Sequence, residues 1–206
     1  TGSASWIDGN VSSNIPGASL FLLNPDGFLI GENGDFSSLG AIHVSTADSL
    51  TDDQGDRFEL STEAPSVLLS GTPVQFGFLA RPTGVDPSIP DIDFRGEMSS
   101  GHEPRPNVGP DPLWDGRIHI SGRIIRISAE NGRRSIHSSP NAQTGAGVGS
   151  VQIAAVGSQA VSLPLELSGF SSADSNLGTD AAVTIEGDVN LRTTPAHPGS
   201  RRDLAG

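Results

Sequence analysis

Apolar residues in this chain fall in short runs and alternating sets, with no stretch at helical spacing. Two runs of strand length, Leu20 to Leu23 and Phe28 to Ile30, flank Asn24, Pro25, Asp26 and Gly27. That tetrapeptide is turn chemistry: Pro25 presets φ at the second turn position, Asp26 can bond back to the backbone, and Gly27 tolerates φ > 0. The unit therefore reads strand, tight turn, strand. Taken alone it is an ordinary turn of an all-β protein.

Further along, Ile42 and Val44 alternate with His43 and Ser45, and Val74, Phe76 and Phe78 share one face of another candidate strand. In the second half, Ile118, Ile120 and Ile124 have one parity, and Ile125, Ile127 and Ala129 have the other. A parity switch between neighbours predicts a corner, where the chain bends and keeps its apolar side chains inward. His119 falls on the outward parity, which predicts a solvent-facing imidazole. Val151, Ile153 and Ala155 form a further alternating set; so do Val161, Leu163, Leu165 and Leu167, and then Val183, Ile185, Val189 and Leu191.

Two polar stretches interrupt this pattern. Residues 82–112 hold seven of the 15 prolines and few apolar residues, which predicts an excursion loop. Within it, 89–98 is strand-like, and Pro90 predicts that this piece lies at a sheet edge. Residues 131–149 read as a second excursion loop, and 193–206, rich in Pro, Arg and Gly, as a flexible tail. Short alternating strands with corners fit a sandwich, a barrel or a β-solenoid. Solenoid coils use roughly 20–30 residues each, but the chain has no strong internal repeat, so periodicity leaves all three open.

Composition narrows the chemistry. The 206 residues are enough for one domain with its own core. A formal net charge of −12 disfavours nucleic-acid and anionic-membrane partners. All 12 basic residues are arginine, so no P-loop lysine exists; absence of cysteine removes disulfides, thiolate metal sites and cysteine nucleophiles. No window approaches the apolar length of a membrane span, and the start Thr1-Gly-Ser-Ala reads as a segment cut from a longer precursor. His102-Glu103 lacks the second histidine of a zinc-protease motif, and no Gly-x-Ser-x-Gly elbow is present. Carboxylates are what is left. Asp91, Asp93 and Glu97 share a parity if their segment is a strand, and paired carboxylates are what glycosidic cleavage uses. Asp52, Asp53 and Asp56 have oxygens suited to Ca²⁺, without the EF-hand register. Solubilising turn residues on an acidic surface account for both groups more simply.

Three segments, in order, resemble one family: Gly9-Asn10-Val-Ser-Ser-Asn-Ile15, then Gly17-Ala-Ser-Leu-Phe-Leu-Leu-Asn-Pro-Asp-Gly27-Phe-Leu-Ile-Gly31, then Val44-Ser-Thr-Ala-Asp-Ser-Leu50. They resemble the N-terminal secretion domain of filamentous-haemagglutinin-like exoproteins, the cargo of two-partner (type V) secretion in Gram-negative bacteria. The family's Asn-Pro-Asn-Gly-Ile stands here as Asn24-Pro-Asp-Gly-Phe28, and Asp26 keeps the side-chain oxygen a turn uses. The resemblance covers residues 6–50 and thins towards 161, with Gln75-Phe-Gly77 matching a similar family segment. The family's upstream Asn-Pro-Asn-Leu motif has no match.

This resemblance implies an all-β fold, a right-handed parallel β-helix (single-stranded β-solenoid) with extra-helical loops or hairpins. Residues 1–206 would be one two-partner secretion-type domain, truncated at both ends. Its role would be non-enzymatic: it would target a large secreted or surface adhesin for export through the periplasm. The partner would be the POTRA domains of an outer-membrane β-barrel transporter, read through Asn24, Pro25, Asp26 and Gly27. Cofactors, metals, nucleic acid and membrane insertion are not expected, and a host or neighbouring-cell ligand would be met through the rest of the protein. The competing expectation is a β-helical carbohydrate-active enzyme, a polysaccharide lyase or hydrolase, using Asp91 and Asp93 or the cluster Asp52, Asp53 and Asp56.

Overall fold

The computed structural model describes residues 2–15, 17–60, 69–81, 86, 88–101, 116–138, 149–166 and 180–193. Every regular element among them is a strand. The chain runs through β1 (Ser5–Ile7), β2 (Asn10–Ser13) and β3 (Leu20–Leu23), then β4 (Phe28–Ile30), β5 (Asp35–Ser38) and β6 (Ile42–Ser45). It continues as β7 (Ser49–Asp52), β8 (Arg57–Glu59) and β9 (Pro73–Phe78), then β10 (Ile92–Phe94), β11 (Glu97–Ser100) and β12 (Arg117–Gly122). The last strands are β13 (Ile124–Ser138), β14 (Ser150–Ala155), β15 (Val161–Pro164) and β16 (Ala182–Thr193).

Most of these strands pair in parallel, in matched register. Trp6 lies beside Leu29, Leu29 beside Asp93, Asp93 beside Arg126 and Arg126 beside Thr184, so β1, β4, β10, the first half of β13 and the first half of β16 form one stack. Val11, Phe36, Met98, Ile136 and Leu191 align likewise through β2, β5, β11 and the second halves of β13 and β16. These two stacks make one large curled sheet, joined where β13 and β16 run on through a register shift between Ala129 and Arg134. The order β3-β6-β12-β14 makes a separate parallel sheet.

Alternation explains how the stacks meet. Ile30, Phe94 and Ile127 from the first stack, Phe36, Met98 and Ile136 from the second, and Ile42, Val44, Ile118 and Ile120 from the third share one buried core. Burying each such side chain stabilises by roughly 1.5–3 kcal/mol relative to exposure, and β-branched residues suit the pleated walls. The corner lies just before its predicted place: Arg123 separates β12, in one sheet, from β13, in the other, and Ile124 and Ile125 both belong to β13. At the far end, Val183, Ile185 and Leu191 of β16 continue the inward alternation yet stand partly exposed.

A fourth layer is antiparallel. Strands β15-β9-β7-β8 form a sheet on the outer face of β3-β6-β12-β14. Leu50, Phe76, Phe78, Val161 and Leu163 bury there with Ala47 and Val156, against Phe21, Leu23 and Ala154. Val74, expected to share the inward face of β9, is instead 41% exposed at its start.

Three expectations need correction. The strand-like piece inside 82–112 is not an edge: β10 lies between β4 and β13, and β11 between β5 and β13. Pro90 precedes β10, where its missing N–H removes no ladder bond. Residues 131–138, expected in a loop, belong to β13. His119 is not solvent-facing but 1% exposed, because the antiparallel layer covers the face on which it alternates outward. Residues 82–85, 87, 102–112, 139–148 and 194–206, within the expected loops and tail, and Leu167 of the expected alternation lie outside the described residues.

Candidate functional site

Residues 24–27 form a closed turn between β3 and β4. Gly27 N donates to Asn24 O (3.0 Å), and Asp26 N donates to Asn24 Oδ1 (3.0 Å). The side chain that bonds back to the turn is therefore Asn24, not Asp26 as expected. Asn24 Nδ2 also donates to Ser5 Oγ (2.8 Å) and Ser3 O (3.1 Å), and Asn24 N donates to Ser45 O (3.1 Å). One asparagine thus ties the segment before β1 to the end of β6. The Pro25 carbonyl accepts from the Arg81 guanidinium. Gly27 has φ +108°, and a Cβ there would stand 2.5 Å from Asp91 O. Only glycine fits that position without strain, since the next layer of chain passes directly against it.

The turn sits at one end of the stacks. β1 and β2 are the outermost strands of the curled sheet at this end, and β3 is the outermost strand of its neighbour. Each presents an edge with no strand partner among the described residues, and an open edge is a template for another strand.

The histidines lie elsewhere. Phe21, His43, His119 and Gln152 align across β3, β6, β12 and β14. The His43 ring stacks on Phe21 at 4.3 Å and 7°, and Phe76 meets His119 edge-on at 5.2 Å. Burial pushes the His43 imidazole down to about 3, helped by the positive charges that His119 and Arg117 would present. Burial pushes His119 down to about 4, against the hydrogen bond of its Nδ1 with Leu165 O (3.3 Å). Both rings are neutral at pH 7. His43 lines a cavity of about 670 Å³ between the two sheets, with Phe21, Val74, Pro164 and Leu165 as apolar walls and the Arg117–Glu166 ion pair (2.6 Å) at its rim.

The candidate carboxylates are not assembled as a catalytic pair. Asp93 is buried and bound by Arg126 (2.6 Å) and Arg95 (2.7 Å). Burial opposes its ionisation, but the two guanidinium groups outweigh it and hold the carboxyl below its ordinary range. Asp91 precedes β10, and its Oδ2 accepts from Arg123 N (3.2 Å). Glu97 opens β11, beyond the bend that follows β10, so the three acids do not share a strand. Asp52 accepts from four backbone N–H groups, those of Gln54, Asp56, Ser70 and Gly71, at 2.7–3.1 Å. Burial acts to raise its pKa, and these four donors together lower it. Its oxygens are occupied in closing the loops at β7, and no group of acids and histidines suited to a metal ion occurs among the described residues.

No protein-family model, curated protein or solved structure matches the chain.

Two structural devices escaped the sequence reading. One is a hydroxyl ladder at the corner after the second stack: Ser13, Ser38, Ser100 and Ser138 are in register, the last three of them buried. Ser100 Oγ donates to Gly40 O (2.9 Å), Ser138 Oγ donates to Gly116 O, and Ser38 Oγ accepts from Gly40 N (3.1 Å), so the hydroxyls satisfy backbone groups where the chain turns. Its signal was the recurrence of Val11-Ser-Ser, Phe36-Ser-Ser and Met98-Ser-Ser. The other is Arg123, 4% exposed, which donates to Asp48 Oδ2 (3.2 Å) and Leu79 O (2.8 Å) and lies 5.7 Å from the centre of the Phe78 ring. It pins the antiparallel layer to the corner between β12 and β13. A single arginine between two isoleucine runs was its only trace in the sequence.

Proposed function

We propose that this chain is a two-partner secretion domain, and that its stacked coils form a right-handed parallel β-helix with the antiparallel sheet as an extra-helical element. The observation that carries this reading is the placement of the three family-like segments. They supply β2, then β3 and β4 with the turn between them, then the end of β6 and the start of β7. Of these, β2 and β3 are open edges at one end of the stacks, β4 and β6 lie one strand in from that end, and β7 begins the antiparallel layer beside it. A transporter's periplasmic POTRA domains would engage such edges by β-augmentation, through main-chain hydrogen bonds, with the side chains around Asn24, Pro25, Asp26 and Gly27 supplying selectivity. The protein would pass the periplasm in a weakly structured state. Outside, its coils would form at this end and add one upon another, each completing the core of the one before. The mature protein would then be secreted or held at the cell surface as an adhesin.

The test is export. The full-length protein carrying Asn24→Ala and Asp26→Ala together should be made at normal levels but reach the medium in reduced amount when its transporter is co-expressed. The purified parent segment, partly unfolded in urea, should bind the transporter's POTRA domains. Wild-type amounts of the double variant in the medium, together with no binding of the parent segment, would overturn the reading.

A further inference from the structure

We infer that the groove around Trp6 is a binding site for a neutral saccharide. The groove encloses about 360 Å³ on the outer face of the first stack, lined by Trp6, Asp8, Leu29, Glu32, Asn33 and Arg95. Trp6 is 74% exposed although it lies within a paired strand, and its cross-strand neighbour Leu29 is 39% exposed. An indole left open in this way offers a flat apolar face with a polar N–H at its edge.

Beside that face is a fixed polar pair. Asp8 Oδ1 accepts from Asn33 N (2.9 Å), and Asp8 Oδ2 accepts from Asn33 Nδ2 (3.1 Å). The pair depends on Gly31, where a Cβ would stand 2.2 Å from Asp8 Oδ1. Held so, the Asn33 amide still has its carbonyl oxygen and second N–H to offer, and Asp8 its remaining lone pairs. The charges around the groove balance: Asp8, Glu32 and Asp93 are matched by Arg95, Arg126 and Arg134, with Arg95 and Arg126 on Asp93 and Arg134 3.7 Å from Glu32.

A pyranose ring has an apolar C–H face and a rim of paired hydroxyls, and it complements an exposed indole flanked by a rigid carboxylate and amide. The balanced local charge favours a neutral sugar, and the net charge of −12 repels acidic ones. The volume suits one or two sugar units, within the range of small-molecule sites. Two apolar side chains offer far less than the roughly 800 Å² per partner that a protein interface needs.

Titration of the purified chain with cellotetraose, chitotetraose, mannotetraose and galactotetraose, followed by calorimetry and by the Trp6 indole N–H resonance, tests this. At least one should bind saturably and shift that resonance. Trp6→Ala and Asn33→Ala should each weaken binding by about tenfold or more with an unchanged far-ultraviolet spectrum and melting temperature, and Trp6→Phe should retain part of it. No binding of any of the four at about 10 mM, or binding indifferent to both alanine substitutions, overturns the assignment. If Trp6→Ala fails to fold, Asn33→Ala and Trp6→Phe decide. Neither result bears on export, because the sugar site and the transporter-facing edges are read by separate experiments.

Discussion

Gly27 shows how much of the turn is set at a single residue. Its φ of +108° lies where side chains other than glycine are strained, and Asp91 O occupies the space a Cβ needs. Strain of this kind costs about 1–3 kcal/mol, and the clash with a backbone oxygen adds to it because that oxygen can withdraw only by disturbing the Phe28 N to Asp91 O hydrogen bond (2.8 Å). Gly27→Ala should therefore lower unfolding stability by at least about 1 kcal/mol, and Gly27→Val by more, measured by urea denaturation. Unchanged stability in both would mean that the segment at Asp91 can shift freely. Asn24 was legible as a turn residue from its place before proline. Its ties to Ser3, Ser5 and Ser45 were not, since those partners arrive from other parts of the chain.

At the scale of elements, the sheet β3-β6-β12-β14 is covered on both faces, and its histidines report this. His43 and His119 are neutral when buried and have folded-state values of about 3 and about 4, below the ordinary value of 6.5. The unfolded chain thus binds more protons than the folded one between about pH 4 and 6.5, and stability falls as pH drops through that window. The loss at about pH 5 is at most about 2 kcal/mol for each histidine. His43→Phe, which keeps a ring against Phe21, should flatten the dependence between pH 7 and 5. An equal loss in variant and parent would show that His43 is not held neutral. Asp93 acts lower: its carboxyl is held below the ordinary range, so its contribution disappears only as pH falls below about 4. Alternation read the inward faces of these strands correctly. It could not read the outward face of β6 and β12, because a polar-looking position becomes buried once a second sheet docks on it.

For the molecule as a whole, the parallel stacks imply a gradient of protection. β10 and β13 have neighbours on both sides, whereas β1 bounds the curled sheet and β16 pairs with β13 alone. Amide exchange should be slowest in β10 and in the first half of β13, and faster by about tenfold or more in β1 and β16. Equal protection in β1 and β10 would mean that the outer edge is closed by something beyond the described residues. The gradient follows from parallel stacking, in which a strand gains its second neighbour only when the next one is laid beside it.

The sequence by itself determined the all-β class, the turn at residues 24–27 and the presence of a corner close to Ile124, because period-2 alternation and turn chemistry are local properties. It also held the serine recurrence at residues 11–13, 36–38 and 98–100, three-residue units too short and too unevenly spaced to stand out as a repeat. Only the tertiary structure decided which strands are neighbours. Phe28 lies against Ile92, and Ile125 against Val183, across long intervening stretches that leave no periodic trace. The same long-range contacts buried His43, His119 and Arg123, bound Asp93 to Arg126 and placed β10 in the middle of a sheet. Parallel pairing matches strands from separate passes of the chain, so its partners are fixed by packing between those passes rather than by the residues that join them.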